Sequence, residues 1–270
     1  PIRFIPATKE QPPWGAVVLM GKGASGSSLY RCDMSGGSGY KENIREYSGM
    51  LSIHNVTGVQ VTDCVFMDNH TVDDMIHVVY GDVVFNRCKL IGAHLDALDI
   101  DMADALIIDC LFDGSGNDGV DLMGSNIRII HSTMKNNSDK GISVGEGTNL
   151  FSVQNSIIGN LIGLESKDQS VALLFNNEFI DNKKSLSAYK KNWQYGDGGD
   201  ILVSKSLFME NDEDAIADKD SHIYIYDSFI DRTNSVERVE FYKVDNKEKA
   251  IASEKKLLPE KVLTNSMVEK

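Results

Sequence analysis

Positive charge is scarce in this chain. Lys and Arg number 27 against 40 Asp and Glu, giving a formal net charge of -13. A nucleic-acid partner needs basic side chains to meet its phosphates, so that class is excluded. Long apolar runs are also missing; nothing approaches the ~20 residues of a membrane span. No signal-like leader is visible. The chain opens on Pro1–Ile2–Arg3–Phe4, already strand-like, so we expect a mature or excised fragment. Cysteine is limited to four residues. Room for a ten-residue helix is lacking across most of the chain.

What is present is a repeat. Cys32, Cys64, Cys88 and Cys110 each stand two residues before an apolar one: Met34, Phe66, Leu90 and Phe112. The slot continues as Ser132–Met134, Ser156–Ile158, Asn177–Phe179, Ser206–Phe208 and Ser228–Ile230. From Cys64 the intervals are 24, 22, 22, 24, 21, 29 and 22 residues. A fixed period of this length means a stack, in which equivalent residues form lines. A cysteine ladder points all its thiols one way, whereas a disulfide needs facing Cβ atoms. We therefore expect a buried column of free thiols.

Within a unit the pattern is short, apolar and of period two. Residues 117–138 predict strands at Val120–Met123, Asn126–Ile130 and Ser132–Met134, separated by Gly, Asn and Ser. A leucine-rich repeat would need an Asn ladder and a helical return leg; we read the Asn ladder as absent and the return legs as strands. A propeller blade needs four strands. The remaining solution is all-β: a single-stranded right-handed parallel β-helix over residues 1–232, about nine coils with three strands each. Residues 233–270 are expected to cap it, with a helix near Lys247–Leu258 ended by Pro259. Two insertions break the period, one over residues 35–43 and one over residues 189–199. In a solenoid such insertions emerge as loops, often on the binding face.

Aligning the strands after the Gly/Asn turn gives three rows. Ile76, Leu98, Val120, Ile142 and Leu164 point inward. His77, Asp99, Asp121, Ser143 and Glu165 point outward, with Asp101 and Lys167 two residues further on the same face. Asp74, Asp96, Asp118 and Lys140 form a corner row, where Asp beside Gly also reads as an ordinary turn former. Stacked acids destabilise a sheet unless a cation, a Lys or a raised pKa relieves them. The alternative is a plainly solvated face. His77 is a surface His pairing with an acid or a substrate contact, as is Glu165. Tyr189, Lys190, Lys191, Trp193 and Tyr195 in the second insertion are packing residues or a sugar platform.

The units Asp118-Gly119-Val120-Asp121 with Ile127-Arg128-Ile129-Ile130-His131-Ser132-Thr133-Met134, and Asp139-Lys140-Gly141-Ile142-Ser143-Val144-Gly145-Glu146, resemble the right-handed parallel β-helix repeats of the pectate-lyase-like superfamily. The resemblance covers roughly residues 14–232. It implies an extracellular, periplasmic or cell-surface protein acting on an anionic, uronate-containing polysaccharide. It further implies Ca²⁺ held by Asp99, Asp101 and Asp121, with Lys140 or Lys167 as the base of a β-elimination at a centre that includes Asp121. A glycoside hydrolase with paired carboxylates and a non-catalytic glycan-binding or structural surface module are the alternatives. The Gly-His-Gly pattern of polygalacturonases and the Asp-Pro-His-Asp signature of alginate epimerases are both absent. The chain is expected to be a monomer or part of a longer protein.

Overall fold

The computed structural model describes residues 1–8, 11–231, 236–237 and 239–242. The chain winds as a right-handed parallel β-solenoid. Among the described residues it forms three ten-stranded sheets. Sheet 1 runs from Ile2–Phe4 to Phe229–Ile230, sheet 2 from Val17–Met20 to Val236–Glu237, and sheet 3 from Ser28–Tyr30 to Val239–Tyr242. Within these sheets every pairing is parallel and joins a strand to its equivalent one coil away. The expected nine coils are thus close to the count. The only regular helix among the described residues is a 3-10 turn at Lys22–Ala24. The last strands pass residue 232, where the cap was expected to begin; Lys247–Leu258 lies outside the described residues.

Each sheet sends alternate side chains inward, as the pleat requires. Leu98, Val120 and Ile142 stand in register on adjacent strands of sheet 2 and are fully buried. Met34, Phe66, Leu90, Phe112, Met134, Ile157, Phe179 and Phe208 form the equivalent column of sheet 1. Burial of each such side chain contributes about 1.5–3 kcal/mol. Residues 126–130 and 120–123 form the predicted strands, while the third begins one residue later, at Thr133.

The corners are what hold the register. At all three, a small polar side chain accepts the backbone N–H of the same corner one coil earlier. The cysteine column is one such ladder: Cys64 Sγ accepts from Cys32 N–H at 3.4 Å, and Cys110 Sγ from Cys88 N–H at 3.4 Å. It continues through Ser132, Asn155, Asn177, Ser206 and Ser228. The slot is therefore occupied by Asn155, not Ser156, and the surrounding intervals become 23 and 22 residues. The four thiols are buried and unbridged, as expected. A second corner carries Asn137, Asn160, Asn182 and Asn211, linked at 3.0 Å between successive pairs. This is the Asn ladder that the sequence alignment, centred on cysteine, did not reveal. The third corner uses Ser125, Thr148 and Ser170.

Corner residues such as Met102, Asp109, His131 and Asn136 adopt φ values of 47 to 56°. Left-handed backbone costs a residue with a Cβ about 1–2 kcal/mol, and the ladder hydrogen bonds offset it. Asn160→Ala removes the acceptor of Asn137 N–H and the donor to Met134 O. It should lower stability by about 1–3 kcal/mol in urea unfolding; an unmoved midpoint would refute the role given to the ladders.

Candidate functional site

Both insertions border sheet 2. The first leaves Cys32–Ser35 of sheet 1, folds as the hairpin Tyr40–Glu42 and Arg45–Tyr47, and enters Gly49–His54 of sheet 2. The second leaves Lys184–Tyr189 of sheet 2 and enters Asp200–Ser204 of sheet 3. Between them the outer face of sheet 2 presents two rows. Ser52, His77, Asp99, Asp121, Ser143, Glu165 and Ser187 are consecutive register partners. Asp101, Met123, Gly145 and Lys167–Tyr189 form the row beside them. Six steps of ~4.8 Å give a lane of about 29 Å. The expectation that Asp99 and Asp121 are neighbours is met.

One end of the lane is acidic. His77 Nδ1 lies 2.7 Å from Ser48 Oγ, and its Nε2 lies 3.6 Å from Asp99 and 3.4 Å from Asp101. Ligand atoms of Asp74, His77 and Asp99 all fall within 4.8 Å of one another. Asp121 sits one strand further on, its Oδ1 accepting Leu122 N–H at 3.0 Å. Burial, then the charges of Asp74, Asp101 and Asp121, push the Asp99 carboxyl far above the usual carboxylate range. Burial raises Asp74 as well, opposed by its hydrogen bond from Ser48. His54, whose ring edge packs on His77 at 5.1 Å, is driven down to about 4 by burial and by that neighbour.

Two of the corner acids have a structural task. Asp96 accepts Asp118 N–H at 2.7 Å, and Asp118 accepts Lys140 N–H at 2.9 Å. Both continue the corner bonding rather than face the lane, which upholds the turn-former reading. Burial, partly countered by Lys140, pushes Asp118 up to about 7.

The other end is mixed. Lys167 is 6% exposed and donates to Ser143 Oγ at 2.8 Å, so its ammonium lies one strand from Asp121. It reaches there across Gly145, where a Cβ would come within 2.7 Å of Lys167 Cε. Glu165 stands 3.9 Å from Lys167 Nζ and is raised by burial against the opposing pull of Lys140 and Lys167. Burial and Glu165 lift the Tyr189 phenol to about 12.

The remaining candidates are placed differently. Lys140 is tied to Asp118 at 3.5 Å and to Asp139. Burial works against its charge, but Asp118, Asp139 and Glu165 outweigh this and raise its pKa. It is thereby ill suited to accept a proton. In the insertion, Asp168 Oδ1 accepts Lys191 N–H and Asn192 N–H, both at 2.8 Å. Lys190 Nζ is turned onto Gly196 O of the same loop, and Lys191 is exposed. Trp193 is 85% exposed, and Tyr195 packs near Glu146 and Asp168. The structure adds Ser48, His54 and Glu146 to the candidates. The first insertion shifted Ser48 and His54 out of the aligned units, so no sequence signal marked them.

Among the described residues the ligand atoms that converge are those of Asp74, His77 and Asp99, so Asp101 and Asp121 of the expected Ca²⁺ set stand outside the converging group; a hard cation such as Ca²⁺ would draw on the carboxylate oxygens. The His77 nitrogen does not belong to such a set. The pH dependence follows from the raised carboxyls. Folding holds their protons above the usual carboxylate range, so the folded state binds more protons than the unfolded one, and stability falls as pH rises. Without divalent cations Tm should drop between about pH 5 and 8. Saturating Ca²⁺ should restore it, and Asp99→Asn should raise the cation-free Tm at pH 8 while removing the Ca²⁺ effect. A pH-independent Tm across this range would contradict the picture.

A family model described as a right-handed β-helix region matches residues 74–230, more than half of the chain. No curated protein matches the sequence. Among solved structures the chain is similar to a periplasmic alginate epimerase, with 14% identity, a TM-score of 0.64, and coverage of 88% of this chain and 64% of that one. It thus spans a little under two thirds of the epimerase's length. It is also similar to an alginate lyase from Paenibacillus sp. strain FPU-7, with 10% identity, a TM-score of 0.56, and coverage of 86% and 94% respectively. At these identities the likeness is one of fold. With the stacked register, the corner ladders and the family match over most of the stack, the chain belongs to the right-handed β-helix family.

Proposed function

We propose that the outer face of sheet 2 binds an anionic, uronate-containing polysaccharide and cleaves it by β-elimination. The observation that carries this reading is Lys167, an ammonium buried in a lane and held one strand from the acid row. A lane of about 29 Å suits a polymer better than a small ligand. The fold it shares with two proteins named for alginate, a polymer of uronates, supports the same substrate class. Such polymers are met outside the cytoplasm, so we place the protein in the periplasm, at the cell surface or in the medium.

In this reading Lys167 removes the C5 proton of the sugar lying over Asp121 and Ser143. The C5–H electrons form the C4=C5 double bond as the C4–O bond breaks. Tyr189, whose phenol stays protonated, gives its proton to the leaving oxygen. Glu165 and Ser143 hold Lys167 in place, and Lys140 remains a structural cation. A Ca²⁺ bound by Asp99, Asp101 and Asp121 would supply the charge that neutralises the uronate carboxylate and acidifies its C5 proton. His77, Lys191, Trp193 and Tyr195 line the flanks as sugar contacts.

A second reading has one observation in its favour. Burial and neighbouring acids push the Asp99 carboxyl far above the usual range, and it stands in register with Asp121, the arrangement of an acid and a partner carboxylate in glycoside hydrolysis. The two are separated by their products, since elimination leaves an ultraviolet-absorbing unsaturated sugar and hydrolysis does not. On a panel of polyuronates the absorbance should rise, chelation should slow it, and Lys167→Ala should slow it by about 10²–10⁴-fold. Lys140→Gln should keep most of the rate while lowering Tm. New reducing ends without absorbance would favour hydrolysis, and full activity in Lys167→Ala would remove the base assigned here.

A further inference from the structure

The charged character of the lane is interrupted past Glu165. In the row that carries His77, Asp99, Asp121 and Glu165, the next two coils present Ser187 and Ile216, before Glu237 takes the equivalent register position. Ile216 is half-buried, with its side chain on the outer face, in a position where earlier coils hold acids. Beside it, in the row of Lys167, stand Tyr189 and Asp218. With Lys184 these residues line a cavity of about 610 Å³. Its size is that of a ligand site, a few apolar walls with a small number of polar groups.

A carboxylate does not suit this cavity. Over Ile216 it would lose water without gaining a cation. Lys184 at the rim already faces Glu213 at 3.9 Å. Asp218 accepts Lys190 N–H at 3.0 Å, adding negative charge on the other side. The Tyr189 ring offers a face to the C–H surface of a sugar, and Ile216 offers a surface to a methyl group. We propose that this cavity is a subsite for an uncharged sugar unit, a uronate whose carboxylate is masked as its methyl ester. The inference rests on the polysaccharide reading above for the choice of polymer, but not on the elimination step.

One buried methyl group contributes about 0.8 kcal/mol, which is about fourfold in affinity. The test is calorimetric binding of polyuronate oligosaccharides to the full chain. Each is used unsubstituted, O-acetylated and methyl-esterified, the O-acetylated form bringing a methyl group while keeping the uronate charge. The wild type should bind the methyl ester about fourfold or more tightly than either form that keeps its carboxylate, and a preference for the O-acetylated form alone overturns the proposal. Ile216→Asp should abolish that preference at unchanged Tm, and Ile216→Ser should do so if the aspartate variant fails to fold. Equal affinity of the wild type for all three forms overturns the proposal, as does binding of none, or a preference that survives in both variants. A preference for the methyl ester with no unsaturated product sinks the elimination reaction and leaves the subsite standing.

Discussion

Everything in this molecule depends on the hydrogen bond that a corner side chain takes from the coil before it. A parallel stack buries its strands through main-chain bonds that would tolerate slippage. At the corners, where the backbone turns through left-handed conformations, the N–H groups need partners that the strands do not supply. Cys, Ser, Thr and Asn serve there interchangeably because each is small and each presents an acceptor at the same depth. Three such ladders fix the coils against each other, and the fixed coils align side chains from positions 22 residues apart into rows.

The alignment has a price in electrostatics on one face. Asp74 and Asp99 converge with His77, Asp101 and Asp121 stand alongside, and none of them can move away without breaking register. Burial and mutual repulsion raise the Asp74 and Asp99 carboxyls, so the surface favours keeping protons. The Lys167 end is the complement, since its charge is balanced by Glu165 and steered by Ser143 across the gap at Gly145. The lane thus runs from an acidic end through a basic stretch to an apolar step at Ile216.

Much of the fold was legible because period and alternation are written directly into the chain. The inward row of Leu98, Val120 and Ile142 and the outward pair of Asp99 and Asp121 were placed correctly from spacing alone. What escaped was whatever sequence alignment to cysteine concealed. Asn155 replaced Ser156 in the slot, since the two are adjacent and either satisfies the pattern two or one residues before an apolar side chain. The Asn137–Asn211 ladder belongs to a different corner and was invisible from the first. Side-chain direction was also out of reach: nothing in the sequence told Lys140, locked to Asp118, from Lys167, laid along the lane.

The slot column changes character along the axis. Its first half is sulfur, accepting at 3.4 Å, and its second half is amide and hydroxyl oxygen, accepting at 2.7 to 3.1 Å. Thiols are weaker acceptors than oxygen, so the corner bonds that hold the register are weaker in the first coils than in the last. The acid cluster sits on the former, and Lys167 and Tyr189 sit on the latter.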